Sequence, residues 1–449
     1  MYDIGIIGGG PAGYVAAERA GQQGLTVALF ELKAVGGVCL NEGCIPTKTL
    51  LFSAKILDYT HHAEKYGIKA TDAVADFPAM MSRKDKIVRK LVAAVENKMK
   101  HNKVEVVKAK VTILDNKKGI VTLEADGKTF ECRNILICTG SEAAIPPVKG
   151  LTEANYLTSS EILSLNHVPA SLAIIGGGVI GLEFANLFNV LGSKVTVIEM
   201  MSEILPGMDQ DISQLLRKEC SKKGIDFHLK ARVTEIHHKN IHLEKEGQSI
   251  EIKADEILVS TGRKPVVTGF GLENIGVEML KGGIRIDENC RTNIPNVYAA
   301  GDVTGFSMLA HTASREGEVA VNHIAGKPDR MRYKAIPGVV YTNPEVAVVG
   351  LTEEEALNKG IGIEVQKLPM TYAGRFVAEN EMFQGLCKII VGKQYHEILG
   401  VHMIGNPSSE MIFGAAMAIE AQLTLKELKE IVFPHPTVSE IFKEGAFLF

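Results

Sequence analysis

Twice along the chain an apolar run enters a three-glycine turn and leaves it in helical sequence, at Gly8-Gly9-Gly10-Pro11-Ala12-Gly13 and at Gly176-Gly177-Gly178-Val179-Ile180-Gly181. In the first copy Tyr2 to Ile7 leads in, AGYVAAERAGQQG follows, and a second apolar run, Thr26 to Phe30, ends at Glu31. In the second copy Leu172 to Ile175 leads in, LEFANLFNVLG follows, and Lys194 to Ile198 ends at Glu199. Strand, turn, helix and strand in that order predict a right-handed βαβ unit with parallel strands. A GxGxxG alone is weak evidence, but here its whole context is present. Gly8 allows the tight turn, Gly10 lets the backbone approach a pyrophosphate, Gly13 allows helix packing, and Glu31 reaches ribose hydroxyls. The second copy offers Gly176, Gly178, Gly181 and Glu199 for the same jobs. Each copy also has a closing run that ends in Thr-Gly, ILICTG at 135–140 and ILVSTG at 257–262. The chain therefore contains an internal repeat of two Rossmann-like units and is expected to hold two dinucleotides.

Charge separates the possible nucleotides at the second unit. Glu199 would accept from a free 2′-hydroxyl and repel a 2′-phosphate, and Met200, Met201, Ser202 and Glu203 supply no arginine to receive one. NAD is expected there rather than NADP.

Length and composition bound the remainder. A chain of 449 residues suggests about three domains, and 46% hydrophobic residues are ample for buried cores. Net charge is −4 with the signs mixed, and no basic run long enough for nucleic acid or an anionic membrane occurs. No uncharged apolar run reaches membrane-spanning length. The first residues run directly into the first strand, so no leader peptide is expected. Seven cysteines, an odd number, fit a reducing cytoplasm where most thiols stay free.

Two of those cysteines lie in GGVCLNEGCIPTK, Gly36 to Lys48. Five steps along an ideal helix rise roughly 7.5 Å, beyond the roughly 4.4–6.8 Å between the Cα atoms of a disulfide. Joining Cys39 to Cys44 would need a distorted turn, which Gly43 makes accessible. A six-residue ring removes only about 2 kcal/mol of chain entropy, a weak staple for so long a chain. A redox-active pair, two unrelated thiols and half of a zinc site all remain open on this stretch alone. For zinc, Cys132, Cys138, Cys220, Cys290 and Cys387 supply no convincing second pair, and no metal is expected.

Downstream, Asn293 to Gly305 predicts a strand ending at Gly301-Asp302, before a helical segment whose N-terminus would favour negative charge. An exposed turn aspartate is the simpler reading of Asp302. From about Arg332 no third fingerprint appears; short β-like runs surround an apolar helix, MIFGAAMAIEAQ, which reads as core or subunit interface. His435 lies between two prolines, and Thr437-Val438-Ser439-Glu440 reads as a capping box opening a last helix.

Together the two fingerprints, the cysteine stretch, Gly301-Asp302 and HPTVSE cover essentially the whole chain and resemble the class I FAD-containing pyridine-nucleotide disulfide oxidoreductases, in particular those that oxidise dihydrolipoyl groups. The resemblance implies an α/β fold with an FAD-binding domain at 1–145 completed by 266–331, an NAD-binding domain at 146–265, and a C-terminal α+β dimerisation domain at 332–449. It places FAD against Gly8, Gly10, Gly13, Glu31, Gly36, Gly37, Lys48, Thr139, Gly140, Gly301, Asp302, Met308 and Ala310, and NAD against Gly176, Gly178, Gly181, Glu199 and Gly262. It implies that Cys39 exchanges with substrate and Cys44 faces the flavin, that Lys48 pairs with Glu183 near the flavin ring, and that His435, oriented by Glu440, is the acid/base. It further implies a homodimer in which His435 serves the other subunit's disulfide, and a lipoylated carrier protein of a 2-oxo acid dehydrogenase or glycine cleavage system as partner. Glutathione- or mercuric-type reductases are the nearest alternative, and a non-catalytic FAD-binding scaffold is a more distant one. This chain departs from the family pattern at Glu42 between the cysteines, at Thr47 and Phe433, and in the order Asn406-Pro407.

Overall fold

The computed structural model describes residues 1–380 and 383–449. Both expected βαβ units form. In the first, Tyr2–Ile7 lies between Val27–Phe30 and Lys128–Ile137, parallel to both, and Glu105–Val107 and Val297–Ala299 extend the sheet in parallel on either side. In the second, Ser171–Ile175 lies between Lys194–Ile198 and Glu256–Val259, again parallel, with Asp226–His228 outermost. The strands Val27–Phe30, Ser171–Ile175 and Glu256–Val259 are mostly buried Val, Ile, Leu and Ala, as parallel strands covered on both faces require.

Repetition extends beyond the fingerprints. Each unit carries an antiparallel meander, Val111–Lys117 with Ile120–Ala125 and Lys128–Ile137 in the first and Ala231–His237 with Asn240–Lys245 and Gln248–Lys253 in the second. Register shifts fall at matching places, Ile113/Asp115 and Val233/Glu235. One difference from the sequence expectation is the first closing strand. It begins at Lys128, not near Asn134, because its first half pairs with the meander and its second half with Tyr2–Ile7.

The C-terminal region is a five-stranded antiparallel sheet, ordered Gly338–Val340, Val346–Gly350, Ile398–Ile404, Leu386–Gly392, Ile363–Leu368. The apolar helix Ser408–Glu420 buries Met411, Ile412, Ala415, Ala418 and Ile419 in that region's core, while Phe413 and Met417 on its other side stay exposed. The fold is thus mixed α/β with two dinucleotide-type units and a third, antiparallel unit. Among the described residues no helix is long and apolar enough to cross a membrane.

Candidate active site

Cys39 and Cys44 are joined, with Cα atoms 4.6 Å apart. The chain achieves this by breaking one helix into two, Gly37–Glu42 and Cys44–His61, at Gly43. A Cβ at Gly43 would lie 2.9 Å from the Val38 carbonyl oxygen and 3.3 Å from Cys39 Cα, so only glycine fits the inside of the bend. Thr47 Oγ1 donates to the Gly43 carbonyl at 2.6 Å, so threonine supplies a hydroxyl that closes the break. Asn41 Nδ2 donates to the carbonyls of Gly37 and Val35, holding the preceding loop.

This pair of helices rests on the first nucleotide turn. The Gly36 amide donates to Gly9 O at 2.7 Å, and a Cβ at Gly37 would come within 2.6 Å of Gly10 Cα. The helix Pro11–Gln22 has no side-chain cap at its N-terminus, and neither does Val179–Val190. Their first amides are left for a ligand, and the partial positive charge at a helix N-terminus suits a phosphate. In front of Gly10 the nearest atom to a Cβ would be Gly37 Cα at 3.8 Å, and in front of Gly178 nothing lies within 4 Å. Both turns therefore leave the close approach open. Glu31 is pinned by the Gly9 and Lys33 amides, each at 2.7 Å, and Glu199 by the Gly177 and Met201 amides, each at 2.7 Å. A carboxylate holding two amides still has lone pairs for ribose hydroxyls. The donor sets fit a dinucleotide at each turn, and FAD at the turn beside the disulfide.

More elements converge on the first turn. Gly301 packs its Cα face toward Ala12 and Ala313, and its amide donates to buried Glu316 at 2.6 Å. Asp302 follows it, Thr139, Gly140 and Met308 lie on loops, and Ala310 opens the next helix. Ala310–Ile324 begins with no side-chain cap, which leaves a second helix N-terminus at this end of the sheet. Glu316 is fully buried and also accepts from Tyr333 Oη at 2.8 Å. Burial pushes its carboxyl up to about 7, against the opposing pull of the Gly301 amide and Tyr333.

One turn beyond Cys44, Lys48 reaches Glu183 of the second unit, Nζ lying 2.9 and 2.7 Å from the two carboxylate oxygens. Glu183 is buried and also accepts from the Tyr341 amide at 3.1 Å, while the Tyr341 ring lies 4.6 Å under Lys48 Nζ. A cation on the turn after Cys44 would stabilise a thiolate there.

His435 Nδ1 lies 2.9 Å from Glu440 Oε1, while Glu440 Oε2 accepts from the Thr437 amide. The expected capping box over Thr437 to Glu440 is only half formed: the helix Glu440–Phe447 starts one residue past Ser439 with no side-chain cap, and Thr437 Oγ1 turns away to donate to Pro434 O, which leaves the Glu440 carboxylate to bridge the Thr437 amide and His435. The Thr437 amide, then His435, holds its carboxyl below the usual range. The His435 side chain is 78% exposed, and no described hydrogen bond ties it to Cys39 or Cys44 of its own chain. Glu42 pairs with Lys33 at 3.2 Å. Three residues of this region escaped the sequence reading: Tyr341, Glu316 and Arg263. Only Arg263 carried a signal, since it follows the repeated Thr-Gly.

Two family models match the chain, pyridine nucleotide-disulphide oxidoreductase over residues 2–317 and its dimerisation domain over 336–446. The dihydrolipoyl dehydrogenase of Bacillus subtilis is 38% identical over 446 residues, covering 98% of this chain and 97% of the relative. That of Chlamydia muridarum is 40% identical over 452 residues, covering 100% and 96%. Among solved structures, LpdA of Mycobacterium tuberculosis superposes with a TM-score of 0.91 at 26% identity over 99% of both chains. The HOCl-induced flavoprotein disulfide reductase RclA of Escherichia coli superposes with 0.87 at 30% identity over 100% of both.

Proposed function

The chain belongs to the pyridine nucleotide-disulphide oxidoreductase family, and on that premise we propose that it oxidises protein-bound dihydrolipoyl groups to the cyclic disulfide while reducing NAD⁺. It is an FAD- and NAD-dependent disulfide oxidoreductase. The observation that carries the reading is the Cys39–Cys44 disulfide seated directly on the first nucleotide turn.

The residues divide the work as follows. His435 Nε2 takes the proton of a dihydrolipoyl thiol, with Glu440 holding Nδ1 and stabilising the imidazolium. The resulting thiolate attacks Cys39 Sγ; the Cys39–Cys44 bond breaks and a substrate–Cys39 disulfide forms, leaving Cys44 as thiolate. The second substrate thiol then attacks its partner sulfur, closing the lipoyl disulfide and releasing Cys39; the proton this thiol loses passes to the departing Cys39 sulfur, and His435 keeps the first proton as imidazolium beside the Cys44 thiolate. FAD, when bound, supplies the acceptor for the electron pair and its delivery to NAD⁺ as hydride. Lys48, neutralised by Glu183 and backed by Tyr341, steadies charge beside Cys44.

His435 needs a second subunit to reach a disulfide. Its exposure supports a homodimer in which it meets the partner's Cys39, as does the matching dimerisation domain. The exposed apolar side chains Phe413, Met417, Phe52 and Ile56 on two helices supply an apolar face to cover. The macromolecular partner is a lipoylated carrier protein of a 2-oxo acid dehydrogenase or glycine cleavage system, in the cytoplasm. Glu199, with no arginine among Met200 to Glu203, disfavours the NADP-dependent glutathione-type alternative. Steady-state turnover with dihydrolipoamide and NAD⁺, run beside glutathione disulfide with NADPH, tests the reading. Faster turnover of the second pair would overturn it.

A further inference from the structure

The two Thr-Gly loops that close the nucleotide units do not merely resemble each other; they grip each other. Ser141–Ala143 and Arg263–Pro265 pair antiparallel, with Ser141 opposite Pro265 and Ala143 opposite Arg263. The flanking bonds are reciprocal. Thr139 Oγ1 donates to Val266 O and Thr261 Oγ1 donates to Ala144 O, at 2.7 and 2.8 Å. The Val266 amide donates to Gly140 O and the Ala144 amide to Gly262 O, both at 3.0 Å. A local two-fold therefore relates the loops, and it is broken at the residue after each Thr-Gly, which is serine in one and arginine in the other.

That asymmetry is aimed at Asp302. Arg263 Nε donates to Ser141 Oγ at 2.7 Å, and its Nη2 donates to the Ser141 carbonyl at 2.6 Å. The Ser141 hydroxyl, with its oxygen filled from behind, points its hydrogen at Asp302 Oδ2. Arg263 Nε itself lies 4.0 Å from that oxygen. Burial disfavours the Arg263 guanidinium and holds it below its usual range, and the carboxylates of Asp302, Glu142 and Glu42 counter this only in part. Glu42, between the cysteines, thus has a charge to balance here as well as Lys33. Asp302 Oδ1 is left without a protein partner among the described residues.

We infer that Arg263, acting through Ser141, is a positioning residue for Asp302, fixing Oδ2 so that Oδ1 faces the flavin cofactor. The inference rests on the reading that Asp302 contacts FAD. The guanidinium fork is required because it meets two oxygens of one residue at once, and an ammonium cannot reproduce that geometry.

The test uses the FAD-loaded full-length dimer and follows FAD release by the rise of free-flavin fluorescence. Asp302→Asn, Arg263→Gln and Ser141→Ala should each speed release by about tenfold, as expected for loss of a charge-assisted bond. Arg263→Lys should remain impaired. Arg263→Gln combined with Asp302→Asn should release FAD little faster than Asp302→Asn alone, because both act through one oxygen. A general loosening of the fold would instead make the two effects multiply, and full multiplication overturns the inference. So does release from Arg263→Gln within twofold of the wild type while Asp302→Asn is impaired. If Asp302→Asn has no effect, the assignment of Asp302 to FAD falls and the inference falls with it. Should Arg263→Gln not fold, Ser141→Ala, which keeps the guanidinium, is judged by the same criteria.

Discussion

Replacing Gly43 by alanine probes how the fold sets the disulfide. The added Cβ would meet the Val38 carbonyl oxygen at 2.9 Å and Cys39 Cα at 3.3 Å, both on the inside of the bend that the bond closes. Neither neighbour is the far end of a flexible side chain; both are backbone, so relief requires the helices Gly37–Glu42 and Cys44–His61 to open. Overpacking of this kind costs about 1–3 kcal/mol. The oxidised form bears that cost because Cys39 and Cys44 are held at 4.6 Å between Cα atoms, while the dithiol form is free to open. For a two-electron couple about 30 mV corresponds to 1.4 kcal/mol, so Gly43→Ala should raise the midpoint of the cysteine pair by about 20–60 mV. Equilibration against graded ratios of reduced and oxidised dithiothreitol, with thiols trapped and counted, reads this directly. A midpoint unchanged within about 5 mV, or one that falls, would refute the reasoning that Gly43 relieves a clash specific to the bonded state.

Other outcomes follow from the same geometry. His435→Gln should slow the thiol half-reaction about 10²–10⁴-fold in rapid-mixing kinetics, with Glu440→Gln costing less; a loss under threefold for His435→Gln would contradict its role. Glu316 supplies a pH effect on stability. Its folded carboxyl titrates at about 7, above the unfolded value of 4.5, so the folded state binds the extra proton between these values and stability falls as pH rises through that window. Melting temperatures across pH 5 to 8 should fall more steeply for the wild type than for Glu316→Gln, by an amount equivalent to at most roughly 3 kcal/mol; parallel curves would refute it. For the coenzyme, a Michaelis constant lower for NADPH than for NADH would contradict the role of Glu199, whose two oxygens are already held by the Gly177 and Met201 amides.

Much of this was legible in the chain because it is local. Glycine spacing, the flanking apolar runs and the terminal glutamates lie within about thirty residues of each other, and the structure places Glu31 and Glu199 identically against Gly9 and Gly177. The cysteine pair was legible only as an awkward spacing; what resolves it is Gly43 and the stacking on Gly10, a tertiary contact. Lys48 and Glu183 are separated by 135 positions, and no local pattern marks either, so only the family resemblance pointed to them. Glu316 lies mid-helix between Arg315 and Gly317 and looks like an ordinary surface acid until Gly301 and Tyr333 are brought to it. Arg263 is intermediate. It sits at a fixed place in the repeat, but its meaning depends on the other copy of that repeat folding against it.

The central claim is that electrons from a dithiol enter through Cys39, leave a thiolate at Cys44, and pass to the flavin and then NAD⁺. Anaerobic rapid mixing of the FAD-loaded dimer with dihydrolipoamide, before any NAD⁺ is added, addresses it most directly. A long-wavelength absorbance between the Cys44 thiolate and the flavin should appear, vanish on addition of NAD⁺, and never form in Cys44→Ser. Absence of that band in the wild type, or its persistence in Cys44→Ser, would contradict the account.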